Sequence, residues 1–150
     1  MSGALYNTEI LRLAASIPHH ERLRHAAATS EKRSPVCGSR VTVDVNLGED
    51  GRVAEVGLLV RACALGQASA SLLASEMLGR TPEELATARD ALTAWLATGG
   101  GDPPDWPGLA VFAPALAHTA RHPSIRLAFE AAADAAERAR EGAVGAGTAA

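Results

Sequence analysis

Two residues in this chain stand out for the chemistry their side chains offer, Cys37 and Cys63. An ionised thiol is a nucleophile and a ligand for zinc and iron, so a pair of thiols points to metal binding or sulfur chemistry if the fold brings them together. Between them lies a pattern that does so. Val41, Val43, Val45 and Leu47 alternate with Thr42, Asp44 and Asn46, the period of two expected of a half-buried strand. Asp50-Gly51 supplies a turn, and a second strand follows with Ala54, Val56, Leu58 and Val60 on one face and Glu55 and Arg61 among the other. With the turn centred between Glu49 and Asp50, Cys37 is expected opposite Ala62 and Val36 opposite Cys63, with paired α-carbons about 4.5–5.5 Å apart. A bulge shifts this by a residue and still leaves the thiols close enough for one metal ion.

Cys37 precedes Gly38, which suits a bend close to a bound group. Cys63 stands just before a helix expected to begin near Leu65, where the helix dipole and free N–H groups favour a thiolate. Two small buried hydrophobes are the alternative reading, and a structural disulfide a third that fits a reducing cytosol less well. Two sulfurs leave a tetrahedral site incomplete. The segment Arg121-His122-Pro123-Ser124-Ile125 can supply more groups, although a His or Ser there serves equally as a helix cap or surface residue.

The elements around these residues read as a single α+β domain over 1–141, a small antiparallel sheet built on the hairpin and packed against several helices, with a disordered small-residue tail over 142–150. Asn7 opens a first amphipathic helix with Ile10, Leu13, Ala14 and Ile17 on one face. The stretch 26–33 reads as an edge strand. Leu65 to Leu78 reads as a packed helix stopping at Gly79, and Thr81-Pro82-Glu83-Glu84 opens another to about Ala97 with a capping residue, a first-turn proline and a carboxylate three residues on. A loop over 99–105 leads to a short helix from Leu109 to about Thr119, interrupted near Pro114, and a long helix from Ser124 to Arg140. No internal repeat is visible.

The chain has 150 residues, 47% hydrophobic and 21% charged, enough for one core, and its 3% aromatic content with abundant alanine favours closely packed helices. A net charge of -3 supplies no cationic field for nucleic acid or anionic lipid. The mixed cluster Glu31-Lys32-Arg33 reads as a solvated edge. Neither a membrane span nor a signal peptide is legible, so a cytoplasmic location is expected.

The motifs resemble the iron-sulfur cluster scaffold family related to the N-terminal domain of the nitrogen-fixation scaffold NifU. Its first cysteine lies in Asn-Pro-x-Cys-Gly-Asp, matched here by Ser34-Pro35-Val36-Cys37-Gly38-Ser39. Its second lies in Gly-Cys-Ala-Ile-Ser-x-Ala-Ser, matched by Ala62-Cys63-Ala64-Leu65-Gly66-Gln67-Ala68-Ser69. Leu5-Tyr6 with Ile10-Leu11 is similar to the family's opening helix, and the segment 81–120 to the insertion of its sulfur-mobilising branch. The resemblance implies a transient iron-sulfur cluster or iron, or zinc in that branch, held by an aspartate and three cysteines. It also implies partnership with a cysteine desulfurase and other assembly proteins.

Two positions depart from the pattern. Ser39 stands where the family has aspartate, and Ser124, in Arg121-His122-Pro123-Ser124-Ile125-Arg126-Leu127-Ala128, where it has the third cysteine. A neutral hydroxyl is a poor ligand beside thiolate or carboxylate. His122, two residues before Ser124, is a candidate replacement, and His118 a more distant one. Three functions follow from this set: a non-enzymatic scaffold that binds iron, zinc or a cluster through Cys37 and Cys63; a sulfurtransferase in which one of the two attacks a persulfide; and a metal-free adaptor of the assembly machinery. A homodimer would pool four thiolates, the number a cluster usually takes.

Overall fold

The computed structural model describes residues 5–35 and 38–149, with 144–149 as backbone only. Val36 and Cys37 lie outside the described residues, so the expected pairing of Cys37 with Ala62 does too. The elements run α1 (Thr8–Ala15), β1 (Ala28–Arg33), β2 (Arg40–Leu47), β3 (Val53–Arg61), α2 (Ala64–Glu76), α3 (Pro82–Thr98), two short 3-10 stretches (Leu109–Ala115 and Thr119–Arg121) and α4 (His122–Ala149). The architecture is α+β, with one antiparallel sheet of order β1-β2-β3. None of the helices among the described residues is long and apolar enough to cross a membrane.

The sheet turns Val41, Val43 and Val45 of β2, with Leu58 and Val60 of β3, inward. β1 and β2 meet α4 and β3 meets α2; the inner side of α4 is a ladder of alanines, 128, 131, 132, 135 and 136, all buried with Phe129. Side chains this small let the helix lie close to the sheet, which is where the alanine content of the sequence is used. Capping follows the sequence reading: the Asn7 side chain accepts from the Ile10 N–H at 3.0 Å, and Thr81 and Glu84 form a reciprocal capping box at the start of α3. Trp106 fastens the 99–108 loop to the core by donating to the Leu72 carbonyl at 2.9 Å and meeting Phe129 edge-on at 5.3 Å. The segment around Pro114 folds as 3-10 turns rather than an interrupted α-helix, and α4 begins two residues earlier than expected and continues past Arg140.

The hairpin register differs from the sequence expectation by two residues. The tight turn is closed by Gly48 N–H on the Arg52 carbonyl at 2.8 Å, so it centres on Asp50. A bulge adds the second residue: Asn46 pairs with Glu55 and Leu47 with Val53, leaving Ala54 unpaired. Ala54, expected on the buried face, is therefore exposed, and Val53 takes the inner place. Beyond the bulge the ladder runs to Arg40 opposite Arg61.

The other sheet face is crossed by the segment that follows α1. The Leu58 N–H donates to the His19 carbonyl at 3.0 Å and the Val60 N–H to His20 Nε2 at 3.3 Å, so this strap occupies the outer edge of β3. It passes directly over Gly57: a Cβ there would lie 2.9 Å from the Leu23 nitrogen, with Glu21 also in the way. The close approach lets Arg22 reach Asp44, the residue paired with Gly57. Asp44 is fully buried and accepts from Arg22 Nε at 2.7 Å, Arg22 Nη2 at 3.0 Å, the Leu23 N–H at 3.0 Å and the Thr29 hydroxyl at 2.5 Å. Burial alone would raise its carboxyl, but the bonds from Arg22, Thr29 and Leu23 outweigh it and hold Asp44 below the ordinary carboxylate range.

Candidate functional site

Three chain segments distant in sequence converge at one end of the sheet. The first is the connection from β1 to β2, at whose ends the Gly38 N–H donates to the Ser34 carbonyl and the Ser34 N–H to the Ser39 carbonyl, both at 2.9 Å. Gly38 adopts φ +73, open to glycine at little cost, which accounts for the glycine after Cys37. Ser34 and Ser39 are buried.

The second segment is the step from β3 into α2. Cys63 is the N-cap residue of α2, half-buried, with extended backbone and no side-chain capping bond to the helix. Its side chain thus stands at the N-terminus of a 13-residue helix whose first turn has no acidic residue. The third segment is the start of α4. Ser124 is buried in its first turn, and its Oγ lies 3.5 Å from Oγ of Ser39. The two serines that the resemblance sets at ligand positions are therefore neighbours.

Gly66 holds the second and third segments together. A Cβ on it would lie 3.3 Å from the Ser124 carbonyl oxygen and 3.7 Å from the Ser124 Cβ, so the first turns of α2 and α4 touch at this residue. The Ser69 hydroxyl, one turn along, donates to the Ile125 carbonyl at 2.6 Å, a buried bond fixing the same two helices. Gly66 also leaves room for Ala62, since a Cβ on it would come 2.7 Å from the Ala62 methyl.

His122 is placed differently from a ligand bound through its outer nitrogen. It is buried, with Nε2 at 3.1 Å from both the Ala115 and Leu116 carbonyl oxygens. Two acceptors require that nitrogen to carry the proton, so His122 ties the end of the first 3-10 stretch to the start of α4, and only Nδ1 is left for a metal. His118 is exposed. Among the described residues no group of three or more His, Cys, Asp or Glu side chains could hold a metal ion. Sequence reading gave Gly66 no part in the site, because its contact with Ser124 joins residues far apart in the chain.

The family model of the NifU-like N-terminal domain matches residues 5–99. A solved NifU-like N-terminal domain from Brucella abortus, described as nitrogen-fixing, superposes with a TM-score of 0.85 at 36% identity over 91% of this chain and 95% of that one. A candidate SUF-system iron-sulfur cluster assembly scaffold protein from Fervidobacterium islandicum AW-1 has a TM-score of 0.77 at 17% identity, over 91% of this chain and 99% of that one. A hypothetical protein has a TM-score of 0.74 at 20% identity, over 89% and 97%. At such identities the last two likenesses speak for the fold alone. The search of curated proteins returned no match. With the family model covering most of the chain and a solved relative sharing more than a third of its residues, this protein belongs to the NifU-like N-terminal domain family.

Proposed function

We propose that this chain works in iron-sulfur cluster assembly, as a cytoplasmic, non-enzymatic scaffold whose cargo is iron, zinc or a transient cluster held through Cys37 and Cys63. The observation that carries the reading is the convergence of Ser39, Cys63 and Ser124, three motif positions on three separate segments, at the adjoining first turns of α2 and α4. The donor set fits such cargo in part. Two thiolates supply charge and softness, while Ser39, Ser124 and Nδ1 of His122 offer only neutral groups. A cluster usually takes four thiolates, so two copies of the chain, each contributing Cys37 and Cys63, complete the set.

Protein prepared without oxygen and with ample iron is expected to carry iron and acid-labile sulfide, and Cys63→Ser or Cys37→Ser protein neither. Equal iron and sulfide in the wild type and both variants would overturn the reading.

The position of Cys63 favours a second reading, sulfur acceptance. The half-buried sulfur at this helix N-terminus is a nucleophile when ionised and can attack the outer sulfur of a cysteine desulfurase persulfide; the new S–S bond forms as the old one breaks, and the donor cysteine leaves as thiolate without net oxidation. A mass increase of one sulfur on Cys63 or Cys37 after incubation with a desulfurase and cysteine would support it. An unchanged mass would exclude it.

A further inference from the structure

The ladder register places arginine opposite arginine. Arg33 of β1 pairs with Arg40 of β2, and Arg40 with Arg61 of β3. Directly opposed residues share a sheet face, and strands lie about 4.8 Å apart, so the three α-carbons form a row roughly 10 Å long across the whole sheet. It lies on the face that also carries Glu31, Thr42 and Asp44, at the end nearest the site. Each arginine adjoins a site segment in the chain: Arg33 precedes Ser34, Arg40 follows Ser39, and Arg61 precedes Ala62 and Cys63.

Like charges directly opposed in a sheet are destabilising, and little here neutralises them. Glu31 accepts from Arg33 at 2.7 Å. That bond, helped by the Thr42 hydroxyl and the charge on Arg40, keeps the Glu31 carboxyl below its ordinary range. Among the described residues Arg40 and Arg61 form no ion pair of their own, and Arg61 is exposed. The row is thus a local positive surface on a chain whose net charge is -3.

We propose that this row is the docking surface for a partner protein that presents clustered carboxylates, seating it against the thiol site. The proposal deepens the reading above by giving the chemistry of the partner that reaches Cys37 and Cys63. The sign of the rest of the molecule supports a protein occupant. The net charge of -3 disfavours an acidic partner on the chain at large, so a row of three opposed arginines can orient the encounter as well as strengthen it. A row this short spans few phosphates, and the net negative charge opposes a longer nucleic-acid track.

The test is fluorescence anisotropy of a labelled oligoglutamate peptide with the full chain at low ionic strength. Binding is expected, with a loss of roughly fivefold to tenfold in Arg40→Gln/Arg61→Gln protein and most of the affinity retained in Arg40→Lys/Arg61→Lys protein. Thermal unfolding of the glutamine variant is expected at or above the wild-type temperature, since it relieves repulsion; should it unfold, the lysine variant and the single Arg61→Gln change at an exposed position carry the comparison. Equal peptide affinity in wild type and glutamine variant would overturn the proposal. So would tighter binding of single-stranded DNA than of the peptide. The assay reads neither iron nor sulfide, and Cys37→Ser/Cys63→Ser protein is expected to bind the peptide as wild type does, so this surface and the thiol chemistry stand or fall separately.

Discussion

The methyl group of Ala62 stands 2.7 Å from the point a Cβ on Gly66 would occupy, on the residue where α2 meets Ser124 of α4. Space at this contact holds one small side chain. Gly66→Ser alone is expected to destabilise the protein by about 1–3 kcal/mol through overpacking, and Ala62→Gly in the same chain to recover most of that. Urea unfolding of the two single variants and the double variant measures the coupling, and additive effects would show that the two positions do not share space.

Ser124 and Ser39 offer a gain-of-function experiment. Ser124→Cys puts a third thiol beside the hydroxyl of Ser39, 3.5 Å away, and Ser39→Asp adds a carboxylate. The double variant should bind cobalt(II), a spectroscopic stand-in for zinc, roughly tenfold or more tightly than wild type, with a stronger thiolate-to-metal absorption band. Unchanged cobalt affinity would mean that these positions do not face a common metal.

His122 separates structure from ligation. His122→Ala removes the donor shared by the Ala115 and Leu116 carbonyls and is expected to cost about 1–3 kcal/mol. His122→Gln, whose amide can donate to the same oxygens, should lose less. If both variants hold cobalt(II) as the wild type does, the imidazole's part is to anchor the start of α4; a loss of cobalt in the glutamine variant would instead bring Nδ1 into the ligand set.

Asp44 predicts a pH dependence. Its carboxyl titrates below the unfolded value, so the stability it contributes is present above an unfolded pKa of about 3.9 and is lost as pH falls through the folded value. Asp44→Asn should cost about 2 kcal/mol at neutral pH, less than the ~3–5 kcal/mol of a fully buried pair, since the Arg22 side chain is half in water. The variant should also show a shallower fall of stability with acid. Parallel wild-type and variant profiles below pH ~4 would contradict the assignment.

Much of the fold is legible because local chemistry dictates it. The alternation of Val41, Val43 and Val45, the Thr81–Glu84 capping box and the Asn7 cap each depend on neighbours within a few residues. Of the candidate site, the two motifs and the segment 121–125 pointed to Ser39, Cys63 and Ser124, and the fold brings Ser39 and Ser124 to 3.5 Å. What was missed depends on long-range geometry. The register follows from where the Asp50-Gly51 turn is centred and from a bulge at Ala54, which no distinctive residue marks. The strap over Gly57 pairs a loop with a strand edge. The arginine row has no counterpart in the linear order, where Arg33, Arg40 and Arg61 are scattered.

Ala54 gives the hairpin a slack link. It is exposed, unpaired, and set between a turn whose inward residue is Val53 and a strand whose inward residues are Val56, Leu58 and Val60. Deleting it would leave an unbroken alternation with the same residues inward and the arginines still aligned, whereas losing one residue between Val56 and Arg61 would turn the far end of the strand over. Variation in the length of β3 can therefore be absorbed at Ala54, upstream of the segment that sets the orientation of Cys63.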